Sequence, residues 1–165
     1  MSKFSPGVVQ ADETLARFVF SPLHVGNNGV MKPSVFSHVA TKGCSIQRDT
    51  LATTDELIAF VTEFLTKGQR QAWYGVLISS CRSTRAIKLR EITERVVCVF
   101  DTAEAKYPAH AEICQTHHIK EADGPELRKE LFAAFGNGVA VKPANYRAGI
   151  VWNGLSSALR RPSAS

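Results

Sequence analysis

The chain has 165 residues, 44% of them hydrophobic, which is enough apolar side chain for one domain to bury a core. Twenty Lys and Arg against fifteen Asp and Glu leave a net charge of +5, a mild attraction to polyanions that excludes neither nucleic acid nor protein partners. No run approaches the roughly 20 apolar residues of a membrane helix, and the first twenty residues lack the apolar stretch of a secretory signal.

A single soluble, cytoplasmic domain spanning 1–165 is therefore expected, with no membrane association and frayed ends at about 1–13 and 160–165. Cys44, Cys81, Cys98 and Cys114 are widely spaced and form no CxxC pair. Three of them stand in apolar runs, as reduced, core-filling thiols do.

In chain order, Leu15 to Phe20 is aromatic and β-branched and closes on Ser21-Pro22, which predicts a strand. Gly26-Asn27-Asn28-Gly29 has the chemistry of a turn, either a hairpin loop or a ligand-facing loop. Ser34 to Val39 and Cys44 to Arg48 then read as two short strands divided by Lys42-Gly43. Thr53 followed three residues later by Glu56 forms a capping box, and Leu57, Ile58, Val61, Phe64 and Leu65 repeat at helical spacing as far as Gly68.

Tyr74 to Ser80 and Val96 to Phe100 are apolar, β-branched runs that predict strands at the centre of the sheet, buried on both faces. The polar stretch Arg82 to Glu91 between them predicts a surface hairpin or a short helix. A second long helix is expected from about Asp123-Gly124-Pro125-Glu126, with Leu127, Leu131, Phe132 and Phe135 as its buried stripe and Gly136-Asn137-Gly138 as its stop. Val139 to Leu159 fits one strand plus a terminal helix, or two strands. The pattern predicts an α+β fold: an antiparallel or mixed sheet of about five to seven strands with two or three helices.

Three constellations carry candidate chemistry. His110, Cys114 and His117 would share a helical face, and His110, Glu112 and Cys114 one side of a strand, so either set could offer metal ligands. No standard zinc spacing is present, and the plainer reading is a strand with Ala109, Ala111 and Ile113 buried, His110 and Glu112 in solvent and His117-His118 in the following loop. His110 is the natural proton-transfer residue, with Glu112 or Asp101 to orient it. Arg17 and Arg48 would complete an anion site if they converged on His110; otherwise they lie on a solvent face.

The basic segment Arg82, Arg85, Lys88, Arg90 and Arg95, opposed by Glu91 and Glu94, suits contact with phosphates, with Trp73 and Tyr74 as possible stacking platforms. Cys81 beside Arg82 is a further candidate thiol.

No GxGxxG, Walker-type or GxSxG element occurs, so no nucleotide cofactor or hydrolase elbow is expected. Three readings follow. The first is a nucleic-acid-interacting protein, RNA before duplex DNA, with histidine-assisted phosphodiester chemistry at His110. The second is a non-catalytic partner-binding module or accessory subunit, anchored near Ile150, Val151, Trp152 and Leu155. The third is a metalloprotein centred on His110, Cys114 and His117 or His118.

Overall fold

The computed structural model describes residues 3–67 and 72–148. Five antiparallel strands form one sheet in the order β3-β1-β2-β5-β4: β1 Thr14–Ser21, β2 Cys44–Arg48, β3 Ala72–Ser80, β4 Val97–Asp101 and β5 His110–Gln115. Among the described residues three α-helices accompany it: α1 Thr54–Lys67, α2 Cys81–Arg85 and α3 Gly124–Ala134. This is an α+β architecture.

Strand side chains alternate between faces, and paired residues share one, so the register sorts the sheet. Leu15 pairs with Arg48, Ile46 with Ala111, Cys44 with Ile113 and Val99 with Ile113. That face packs on a 3-10 segment, Pro33–Ala40, and on α3, building a core of Leu15, Val19, Ile46, Phe36, Leu127, Leu131 and Phe135. The opposite face places Ala16, Phe18 and Val76 beneath Leu57, Val61 and Leu65 of α1.

α1 begins as the capping box requires. The Glu56 carboxylate accepts from the Thr53 N–H at 2.6 Å, and Thr53 Oγ1 accepts from the Glu56 N–H at 3.2 Å. In α3, Leu127, Leu131 and Phe135 are buried at the expected spacing.

Two expectations are corrected. Ser34 to Val39 is not a strand: Pro33 opens a 3-10 segment in which Val35, Phe36 and Val39 turn inward, and the Phe36 ring meets Phe135 at 5.1 Å. Val35, Phe36 and Val39 do not alternate as a strand would, a mismatch that their β-branched and aromatic composition masked. Nor do the two apolar runs form the sheet centre; β3 and β4 are its edges, and β2 is the middle strand.

The two edges differ. Val76 and Leu77 of β3 are both buried because helical or loop layers cover both faces, and the outer edge is closed by a bridge between Val76 and Val141. Gly75 permits that bridge, since a Cβ there would lie 2.6 Å from the Val141 carbonyl oxygen. On β4, Val97 and Val99 face the core, whereas Phe100 is exposed.

Candidate functional site

Arg48 ends β2 on the core face and is almost completely buried. Its Nε and Nη2 donate to the two Glu13 carboxylate oxygens at 2.6 Å each. Nη1 donates to the Gly7 carbonyl at 2.7 Å and to Asp101 Oδ1 at 3.4 Å, and Nη2 also reaches the Val8 carbonyl at 3.4 Å. The planar guanidinium fork is thus committed to protein acceptors.

Burial alone would raise the Glu13 pKa, but the Arg48 hydrogen bonds and charge bring it below its ordinary value, and the same pairing raises Arg48. A second arginine joins the clamp: Arg85 of α2 donates to the Val9 and Val99 carbonyls, both at 3.1 Å. Residues 7–13, whose composition predicts a frayed end, are therefore tied to the edge beside β4, with Val9 fully buried.

Arg17 lies on the same face but serves another contact. Its Nη1 donates to the Ser45 carbonyl at 2.7 Å and its Nη2 to the Val35 carbonyl at 2.9 Å, fastening the 3-10 segment onto the sheet. Burial lowers its pKa. Backbone carbonyls, not a carboxylate, accept its hydrogen bonds.

His110 pairs with Gln47 across β2 and β5, which puts it on the face opposite Arg48. It is buried there rather than open to solvent as a plain outward strand position would be, with Nδ1 2.8 Å from Thr102 Oγ1. Asp101 belongs to the Arg48 face, so it does not orient His110. The sheet therefore separates His110 from Arg17 and Arg48, and a common anion pocket is not formed.

Among the described residues no three His, Cys, Asp or Glu side chains converge as metal ligands. On β5, Ala111 and Ile113 are fully buried while Glu112 and Cys114 share the other face with His110. His117 and His118 follow in the loop, their rings 3.9 Å apart. Cys81 is buried, and burial raises its pKa, the opposite of an activated thiol.

The basic segment combines both expected forms. α2 is a five-residue helix whose N-cap Ser80 accepts from the Ser83 N–H, and a tight turn follows, with Leu89 bridged to Ile92. Between them, Ile87 and Leu89 go into the core, and the alternating Lys88 and Arg90 point outward. Lys88 Nζ donates to the Thr93 carbonyl at 3.0 Å and braces the turn. Arg82, Arg90 and Arg95 are exposed and make no ion pair among the described residues.

No protein family, curated protein or solved structure matches this chain.

Trp73 and Tyr74 do not extend the basic surface. They begin β3 and α2 follows its end, a separation of roughly 25 Å along an extended strand. Trp73 packs in an aromatic group with Phe18 and Tyr146, and the Tyr74 hydroxyl donates to the Gly29 carbonyl beneath Lys142. Beside Tyr74, Val30 and Val139 are exposed apolar side chains on the two loops that flank it.

A half-open hollow of about 110 Å³, lined by Phe60, Glu63, Phe64 and Tyr107, is too small for most organic ligands, which occupy about 300–1,000 Å³. Ile150, Val151, Trp152 and Leu155 lie outside the described residues. No described helix is long and apolar enough to cross a membrane.

Glu13 and Thr102 are the partners that sequence reasoning missed. Glu13 stands in a stretch that reads as a loose end, and nothing local ties it to Arg48, 35 residues away.

Proposed function

We propose that this chain is a non-catalytic polyanion-binding module whose ligand is the phosphate backbone of single-stranded RNA. The observation that supports this is the exposed basic segment, where Lys88 braces the turn and Arg82, Arg90 and Arg95 make no ion pair among the described residues. Cations held this way release condensed counterions when they meet phosphates. A five-residue helix supplies fewer than two turns, too short to run along a duplex major groove, which favours a flexible strand. The separation of His110 from both core arginines argues against phosphodiester chemistry.

The test is fluorescence anisotropy of a labelled, mixed-sequence RNA across a salt series. Single-strand binding loses about 0.7 in log–log salt slope for each phosphate contact removed. The triple variant Arg82→Gln, Arg90→Gln, Arg95→Gln should therefore lower the slope by about 2. Absent binding, or an unchanged slope, would overturn the proposal. A partner-binding reading is favoured instead if that variant is silent and Val30→Ser with Val139→Ser abolishes a protein interaction, because those exposed residues flank Tyr74.

A further inference from the structure

Cys98 and Cys114 are far apart in sequence but directly opposite each other on β4 and β5. Both are half-buried free thiols on the face that carries His110 and Glu112, whereas Cys44 and Cys81 are fully buried in the other core. The backbone pattern fixes their spacing. The Thr116 N–H donates to the Val96 carbonyl at 3.0 Å and the Thr102 N–H to the His110 carbonyl at 3.2 Å, so hydrogen-bonded pairs fall at 96/116 and 102/110.

Such pairs recur every second residue, which makes 98/114 one of them, with Cα atoms about 5.5 Å apart. That separation lies within the roughly 4.4–6.8 Å range spanned by disulfides. The geometry points to Cys98 and Cys114 as a reversible cross-strand disulfide site, oxidised by a peroxide.

The Cys98 thiolate attacks one oxygen of hydrogen peroxide, the O–O bond breaks, and the departing hydroxide takes a proton to leave as water. The Cys114 sulfur then displaces hydroxide from the Cys98 sulfenic acid, forming the S–S bond and releasing a second water once protonated. Peroxide accepts the two electrons that the thiols lose.

The order follows from surroundings: burial first, then the Glu112 carboxylate, raises the Cys114 pKa and suits it to resolving rather than initiating. Cys114 Sγ lies near Gly43, where a Cβ would stand 3.0 Å away. A hydrogen-bonded pair also holds its Cβ atoms farther apart than the about 3.8 Å of a relaxed disulfide, so the link is strained and readily reduced.

The test treats the reduced full chain with hydrogen peroxide, blocks remaining thiols with N-ethylmaleimide, and digests without reductant for mass spectrometry. The expected result is one linked peptide pair containing Cys98 and Cys114, lost on dithiothreitol treatment, with Cys44 and Cys81 unlinked. Cys114→Ser should abolish the link and leave a sulfenic acid at Cys98 that dimedone traps; Cys98→Ser should abolish the link without such a trap at Cys114. Full alkylation of both thiols after peroxide, or separate over-oxidation of each without a cross-link, would overturn the assignment.

Discussion

Replacing Arg48 with Met should remove much of the stability of this fold, because the guanidinium neutralises a carboxylate that has no other route to solvent. The Glu13 side chain is only 9% exposed and that of Asp101 only 4%. Without Arg48, Glu13 loses two hydrogen bonds of 2.6 Å, and the Gly7 carbonyl loses its 2.7 Å donor. Breaking a buried ion pair from one side costs about 3–5 kcal/mol, against a total of about 5–15 kcal/mol for a domain.

Arg48→Lys keeps the charge but not the fork, and should lose about 2–3 kcal/mol through charged hydrogen bonds left unmade. Glu13→Gln should be milder, since Asp101 remains as counter-ion. Combining it with Arg48→Met should recover about 2 kcal/mol relative to the sum of the singles.

The pH dependence has a definite sign. Glu13 has a lowered folded pKa, so its contribution is complete above its ordinary value of 4.5 and is lost as pH falls through the lowered folded value. Glu13→Gln should flatten that acid limb. Urea denaturation followed by circular dichroism, run as a double-mutant cycle, measures all of these quantities. A cost below about 1 kcal/mol for Arg48→Met, with additive singles, would refute the reasoning.

His24 supplies an independent pH window. Burial, then the charges of Arg17 and His38, lower its pKa from 6.5 to about 3, while its Nδ1 accepts from the Phe20 N–H at 3.1 Å. Because the unfolded chain takes up the proton first, stability should fall as pH drops below 6.5, by about 2 kcal/mol at pH 5 at about 1.36 kcal/mol per pK step. A urea midpoint that is flat from pH 7 to 5 would contradict this, and His24→Leu should abolish the slope. Gly75→Ala should cost about 2–3 kcal/mol, since the new Cβ meets the Val141 carbonyl oxygen at 2.6 Å, and a lowered Tm with loss of amide protection at Val76 would register it. Thr53→Ala should cost about 1 kcal/mol by releasing the Glu56 N–H, read from the same urea curves.

The sequence by itself determined whatever rests on near neighbours. Thr53 and Glu56 announce the start of α1 because the two groups that bond are three residues apart. Leu127, Leu131 and Phe135 announce the inner stripe of α3 because 3.6 residues make a turn. The burial of Ile87 and Leu89 was not among these, because the polar stretch from Arg82 to Glu91 reads as surface throughout.

The tertiary structure alone decided strand order, and with it the meaning of every charged candidate. A strand buried on both faces, as β3 is at Val76 and Leu77, can stand at an edge, because face burial comes from covering layers and says nothing of lateral neighbours. Arg48 turned from a ligand-binding candidate into a clamp because folding brought Glu13 and Asp101 to it from 35 and 53 residues away. His110 was parted from both arginines by the two-residue period of a strand, under which one step in register moves a side chain through the sheet. Cys98 and Cys114 met for the same reason in reverse: antiparallel pairing placed them opposite one another on one face, a coincidence of register that their separate positions in the chain do not encode.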